Sequence, residues 1–586
     1  MTGAIPLDTD VLVIGGGVAG ARAAYDANRA GLSVTMVIKG LLGKSGCSIF
    51  AGNLNYFAPP KDENGAPPPE ATAEEEELRI RRTMAFLAKY THYLGDQEYM
   101  RKASGWSQRE FFDWIESHGI YILRDDDGGI ITDLPRRTQA WAVQMGMSGT
   151  VVMDMLRKLI FDTDVRVLEQ TTATRLMTRD GAVVGATALD YASGSFYAIR
   201  AKTVILATGH SNYMSLRATG TRDGSASGWV LAYEAGAKLQ NIEMQWHHAS
   251  DVAFPATWMR LHLYPNPLPG TEHRSQLFNT NGEMFFDSNW LPENPVPYIM
   301  QLKHLAKEVE AGRARLDGGY FTNFRHVERN SLEHYIYQTQ FASKVGIDLG
   351  EEMYENAVTW HMNVGGVRVN GSTMASDVPG LLAAGSVAAL VTGGLANSMF
   401  EGLTAAQTAQ RRVESMPNPD ELDAVQLAAE ERRVFGLLRT EPSQGLLPGQ
   451  VKKRIRRAMW EHMNYIKTEA SMLAAQAELD RIEAEDLPRM RMNTDTRNFN
   501  YDWVDALDAV DMLKALQVQV RFSLHRKESR GCFYRRDYPV TDNRRWLKHL
   551  VGQRDERGEL GLELLPVDLP YAVPDEECAS FFDVDY

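Results

Sequence analysis

A glycine-rich turn close to the start of the chain is its most explicit chemical feature. Val11-Leu-Val-Ile-Gly-Gly-Gly-Val-Ala-Gly20 holds Gly15, Gly17 and Gly20 in a Gly-x-Gly-x-x-Gly pattern directly after an apolar run. At that spacing the first glycine permits a tight turn. The second lets the backbone approach a pyrophosphate, and the third lets a helix pack closely on the preceding strand. Free N–H groups and the dipole at the helix start then favour a bound phosphate, so the implied chemistry is dinucleotide binding. An acidic residue usually ends the second strand of such a unit and holds the ribose hydroxyls. Here Val37-Ile38-Lys39 puts Ile38 at that point, which leaves the ribose to Lys39 or to backbone groups. The three cysteines, Cys47, Cys532 and Cys578, are far apart and lack Cys-x-x-Cys spacing. No disulfide framework, zinc site or iron–sulfur cluster is expected from this chain alone.

The elements needed to position that turn are legible around it. Asp10–Ile14 predicts a short buried strand, Ala21–Ala30 a helix of small residues, and Val34–Ile38 a second strand. Thr203-Val-Ile-Leu-Ala207, followed by Thr208-Gly209, predicts another buried strand. The proline-rich run 59–69 predicts a loop, and Thr72 with Glu75 has capping-box spacing for a helix whose first turn is the acidic run Glu74–Glu77. Val451, Ile455, Met459, Met463 and Ile466 recur at helical spacing, as do Val504, Leu507, Val510, Leu513 and Leu516, and both stripes predict a helical core.

At 586 residues the chain exceeds the size of one core, so several domains are expected. The fold class expected is α/β: a split Rossmann-like dinucleotide-binding domain with an inserted α+β capping domain and a C-terminal helical domain. The segments are 1–245 and 356–418 for the split domain, 246–355 for the cap, 419–545 for the helices, and 546–586 for a tail. Hydrophobic residues make up 44% and charged residues 24%, an ordinary globular composition. A net charge of −14 argues against nucleic-acid binding. No run of about 18 apolar residues is present, so no direct membrane span is expected. The N-terminal segment lacks the basic-then-apolar pattern of a secretory signal, and a cytoplasmic protein is expected, with any membrane association made through partner subunits.

The order of motifs resembles the succinate dehydrogenase/fumarate reductase flavoprotein family, which includes the L-aspartate oxidase and adenylylsulfate reductase α-subunit branches. The resemblance runs almost end to end. Thr203–Gly209 is similar to the strand end of two-dinucleotide-fold flavoproteins, and Val378-Pro-Gly-Leu-Leu-Ala-Ala-Gly385 to the strand that returns to the flavin. Gly43-Lys-Ser-Gly-Cys-Ser-Ile-Phe-Ala-Gly-Asn53 resembles the flavin-facing loop. Thr221-Arg-Asp-Gly224 with Glu234–Ala237, Gln245-Trp-His-His248, His361-Met-Asn-Val-Gly-Gly366 and Ala396-Asn-Ser-Met-Phe-Glu401 resemble later family segments. Arg526-Lys-Glu-Ser-Arg-Gly531 and Arg536-Asp-Tyr-Pro539 with Trp546 resemble its C-terminal signature.

The resemblance implies FAD as the cofactor. Its contacts would come from Gly15, Gly17, Val18, Ala19, Gly20, Lys39, Lys44, Ser45, Gly46, Gly52 and Asn53, then Ala207, Thr208, Gly209, Asp223, Gly385, Asn397, Ser398 and Met399. Family members with covalent flavin carry a histidine where this chain has Gly46, so noncovalent FAD is implied; Cys47, next door, is the alternative point of attachment. The implied catalytic set is His361, Lys303, His247, His248, Thr271 and Glu272, with His304, Arg260 and Arg325 as substitutes for Lys303. Arg530 and Arg536 are open to either surface ion pairs or substrate contacts. The arginine that dicarboxylate-handling members carry before the Asn-Ser segment is missing from Thr392–Asn397. The activity implied is hydride exchange between flavin N5 and a small organic anion, with electrons passed to or from a small ferredoxin-like iron–sulfur subunit. The alternatives are the α subunit of an enzyme like adenylylsulfate reductase and, from another class, a non-catalytic flavin-binding assembly protein.

Overall fold

The computed structural model describes residues 3–51, 54–55, 73–122, 139–140, 148–252, 276–287, 297–327, 329, 332, 342–344, 346–390, 394–416 and 421–584. Gly52, Asn53, the loop 59–69, Thr72, Arg260, Thr271, Glu272 and residues 392–393 lie outside them.

Strand β1 (Ile5–Ile14), helix α1 (Val18–Arg29) and strand β2 (Val34–Val37) form the first unit. Val11, Leu12 and Val13 are fully buried, because a parallel strand covered on both faces has no polar side. β1 begins five residues earlier than the apolar run indicates. Ile5–Thr9 carry no apolar pattern of their own and are recruited by pairing with Tyr197–Ala201 of strand β3 (Ser195–Leu206). The sheet runs Arg166–Leu168, β2, β1, β3, Ala182–Asp190, Thr171–Arg179. Leu381–Ala383 pairs in parallel with the C-terminal end of β3, on the side away from β1. The C-terminal ends of β1, β3 and Leu381–Ala383 therefore converge, the position at which open α/β sheets bind ligands.

A second, antiparallel sheet contains β4 (Gln245–Asp251) and β5 (Tyr354–Asn363), continued by Tyr320–Asn323, Gln276–Phe278 and Met284–Asp287. Helix α2 (Pro297–Glu310) packs against it. Helix α3 (Leu395–Ser415) returns to the first unit and lies on α1, close enough that a Cβ at Gly402 would sit 2.3 Å from the Ala19 carbonyl oxygen.

The expected C-terminal stripes are core. Val451, Ile455, Met459 and Met463 are fully buried, and Val504, Leu507, Leu513 and Leu516 lie on the buried side of helix α4 (Tyr501–His525). Residues beyond 546 fold into strands. Lys548–Arg554 pairs with Leu239–Gln240 and with Leu560–Pro566, and Cys578–Ser580 pairs with Val540–Asp542.

A fully buried charge cluster locks this end. Arg526 Nε lies 2.6 Å from Glu243 Oε1, and Glu528 accepts from Arg526 at 2.9 Å and from Arg530 at 2.9 and 3.0 Å. Two cations and two carboxylates are paired within it. Glu528→Gln strips the shared partner from both guanidiniums, and the expected cost is about 3–5 kcal/mol, read as a large fall in the urea midpoint. An unchanged midpoint would mean that the cluster holds nothing together.

Candidate active site

The converging strand ends enclose a cavity of about 1210 Å³, counting its open mouth. Gly15 adopts φ +116°, and a Cβ there would sit 2.2 Å from the Ala207 carbonyl oxygen, so only glycine makes this turn. At Gly20 a Cβ would sit 2.1 Å from the Gly15 carbonyl oxygen, which is the close helix–strand approach expected of the third glycine. Gly17 is the N-cap of α1 and has no capping side chain of its own; Ser48 Oγ accepts from Val18 N–H at 3.1 Å. The first turn of α1 carries no acidic residue. Its positive end therefore faces the cavity uncompensated by any acid of its own, which suits a pyrophosphate.

Of the cofactor contacts expected from the sequence, Gly15, Gly17, Val18, Ala19, Lys39, Ser45, Gly46, Ala207, Thr208, Gly209, Asp223, Gly385 and Ser398 border this one cavity. Asn397 and Met399 are buried in α3 beside Ser398. Lys44 is turned outward, where its half-exposed ammonium pairs with Asp154 at 2.5 Å. Lys39 borders the cavity, and its ammonium sits 2.5 Å from Asp508 Oδ1 of α4. Lys452 Nζ meets the same carboxylate at 3.3 Å, and Ser225 Oγ donates to it at 3.0 Å. Burial works to raise the pKa of Asp508, yet Lys39 and Lys452 hold it below the ordinary carboxylate value. The Lys39 ammonium is thus tied to α4. Ile38 is buried beneath Gly16.

Several wall residues carry no motif that singles them out in the sequence, among them Thr171, Thr172, His210, Ser227 and Ser386. His210 follows the Ala-Thr-Gly strand end directly, and that adjacency is its one sequence signal.

Two of the expected imidazoles come together. His361, at the end of β5, is half-buried, and its Nδ1 lies 2.6 Å from Thr219 Oγ1. The buried His248 ring stands edge-on to it with centroids 4.0 Å apart. Asn212 donates to the His361 carbonyl at 2.8 Å and lies 3.7 Å from Cys47 Sγ, and Cys47 borders the cavity. The His361 backbone is therefore linked through Asn212 to Cys47 at the cavity wall. Gly46 N–H donates to Asp223 at 3.1 Å and fixes the loop that presents Cys47.

His247 turns to the opposite side of β4, against Tyr465 and Trp360. Burial, followed by the nearby Lys467 ammonium, holds its pKa well below the ordinary histidine value. The structure pairs His361 with His248 and leaves His247 behind. The pairing of β4 with β5 shifts register between Trp246 and His247, and such an irregularity reassigns which side chain faces which side.

Lys303 is buried under the C-terminal segment. Its ammonium donates to the Val584 carbonyl and stands 5.4 Å from the Phe581 ring. Residues 581–584 thus pack against the Lys303 side of α2. Among the expected substitutes, His304 packs on Phe286, and Arg325 is bound to Asn323 at 2.9 Å. Arg530 belongs to the buried cluster, and Arg536 is half exposed in a pair with Glu310.

Fold and site together define a dinucleotide-binding flavoprotein with an inserted antiparallel sheet beside its cofactor cavity. Residues 10–398 match the model of the FAD binding domain, and residues 452–577 match that of the fumarate reductase flavoprotein C-terminus. The chain belongs to this family, the FAD-dependent oxidoreductase flavoproteins of the fumarate reductase/succinate dehydrogenase type. It is 25% identical over 553 residues to one subunit of the fumarate reductase (CoM/CoB) of Methanothermobacter marburgensis, covering 91% of this chain and 95% of that one. It is 23% identical over 601 residues to the succinate dehydrogenase flavoprotein subunit of Rickettsia conorii, covering 96% and 95%. Among solved structures, quinol fumarate reductase FrdA of E. coli superposes with a TM-score of 0.84 at 18% identity, over 98% and 99% of the two chains. Adenylylsulfate reductase of Archaeoglobus fulgidus superposes with 0.76 at 20%, over 98% of each. These two share the fold. No helix among the described residues is long and apolar enough to cross a membrane.

Proposed function

We propose that this flavoprotein exchanges a hydride with a small organic anion on the His361 side of its FAD, and passes the electrons to or from a separate iron–sulfur protein. The observation that carries this reading is the His361–Thr219–His248 cluster, tied through Asn212 to Cys47 at the cavity wall.

Bound FAD supplies hydride chemistry. The chain's own residues supply the rest. Thr219 has the Trp360 carbonyl 3.5 Å away. A threonine hydroxyl donating there accepts from Nδ1–H of His361, and that tautomer makes Nε2 the ring's accepting atom. Nε2 can then receive a proton from, or in its charged form give one to, a carbon or oxygen beside the anion. His248 holds the ring at a fixed angle, and burial of Trp360 and His248 keeps water from that face. The reading as an enzyme of the fumarate reductase type is favoured by the relative named for that reaction. Anoxic mixing of the chemically reduced holoprotein with fumarate, other unsaturated carboxylates and adenylylsulfate tests it. Reoxidation by a carboxylate is expected, and reoxidation by adenylylsulfate alone would overturn it.

The iron–sulfur partner is inferred from what this chain lacks. Its three cysteines are a half-buried Cys47, a buried Cys532 and an exposed Cys578, and no group of metal-ligating side chains occurs among the described residues. A small ferredoxin-like protein should therefore copurify from the native host. A preparation fully active without one, reoxidised directly by a nicotinamide, would contradict this.

Gly46, standing where members with covalent flavin carry the linking histidine, supports noncovalent attachment. Acid precipitation should leave the flavin in the supernatant, and a yellow pellet would show a covalent bond.

A further inference from the structure

Glu401 is buried to 4% exposure in α3, with no cation among the described residues paired to it. One of its carboxylate oxygens accepts from the Tyr99 hydroxyl, and the other accepts from the backbone N–H of Gly385. Gly385 and Ser386 border the FAD cavity. A single backbone residue thus separates a buried carboxylate from the cofactor's space. The other charged groups on the elements packed around it are engaged elsewhere. Arg22 of α1 pairs with Asp26 at 2.5 Å and stacks over Trp114. Arg101 pairs with Glu98, and Lys102 donates to Ser372.

We propose that Glu401 is the positioning residue of the flavin-facing Gly385–Ser386 turn, and that it takes up a proton when the bound FAD is reduced. The inference rests on the FAD assignment alone and is independent of which substrate reacts. As a carboxylate, Glu401 holds the Gly385 amide from behind and places negative charge near the cofactor. Electrons added on the cavity side make a second negative charge there, and like charges nearby favour the neutral acid. Burial lifts the pKa of Glu401 to about 7, with the Tyr99 and Gly385 hydrogen bonds pulling the other way, so the group titrates where small changes of field matter. For each pair of electrons from the reducing substrate, or from dithionite, one proton accompanies the cofactor and one forms the O–H bond of Glu401, both drawn from solvent.

The test is the flavin midpoint potential of wild-type and Glu401→Gln holoprotein, followed with pH. The two should coincide where Glu401 is protonated in both redox states. Above about pH 7 the variant's potential should rise above wild type. The gap should widen by about 30 mV per pH unit, the shift for one proton per two electrons. Taking the difference removes the cofactor's own titration. Tyr99→Phe removes a bond that favours the carboxylate, and should move the onset of the steeper dependence to higher pH. A gap that is absent, or constant with pH, would overturn the proposal. Should Glu401→Gln fail to hold FAD, the Tyr99→Phe profile and the reduced-minus-oxidised infrared spectrum of wild type at alkaline pH decide it. A protonated-carboxyl band appearing on reduction supports the proposal, and its absence together with an unmoved Tyr99→Phe profile overturns it.

Discussion

Replacing Gly17 by valine should give a folded, colourless protein. The backbone at Gly17 is extended, at φ −72° and ψ −177°, so any residue can adopt it. An added Cβ meets only Ser48 Oγ, at 3.2 Å, and the hydroxyl can turn aside. The branched side chain instead enters the cavity at the N-terminus of α1, where the pyrophosphate must approach the backbone. FAD affinity should fall by about 100-fold or more, equivalent to about 2.8 kcal/mol. The apo-protein's melting temperature should match that of wild-type apo-protein. Flavin content after purification, alongside circular dichroism, checks both halves. A variant that stays yellow would mean that the phosphate is bound elsewhere.

His361→Ala should lower turnover by about 10²-fold or more, the scale of a lost acid–base group, with flavin content near normal. The Nδ1–Thr219 contact and the edge-on His248 ring show an imidazole held in one orientation. Its removal should also weaken substrate binding. His247→Ala is the internal control. That ring packs among Tyr465 and Trp360 on the other side of β4, so its loss should cost stability more than turnover. Equal losses of turnover in the two variants would mean that the cluster has been assigned to the wrong histidine.

The parts of this molecule that local pattern determines were legible in the sequence. Gly15, Gly17 and Gly20 stand where their spacing places them, and the stripes Val451–Met463 and Val504–Leu516 face inward. Parts set by long-range contact were not. Lys39 borders the cavity as its position suggests, but nothing local indicates that Asp508, far along the chain, holds its ammonium. Lys303 sits at a plausible helical position in the inserted segment, but nothing local indicates that residues 581–584 come back to cover it. His247 and His248 are adjacent, and only the register shift between Trp246 and His247 decides which of them meets His361. His210 and Thr172 reach the cavity because β3 and the strand Thr171–Arg179 end beside it, a property of sheet order and not of motif. The run 546–586 has little periodic signal, and its strand Lys548–Arg554 forms because Leu239–Gln240 offers it an edge.

Hydride exchange at the His361 face is most directly tested by the rate of flavin reduction in the oxidised holoprotein. The measurement is an anoxic stopped-flow experiment with the saturated partner of whichever carboxylate reoxidises the reduced form, run with hydrogen or deuterium at the carbon that loses it. A primary isotope effect on flavin reduction is expected in wild type, and in His361→Ala a much slower reduction that still shows it. Flavin reduction with no isotope effect in either protein, at rates indifferent to His361, would contradict it.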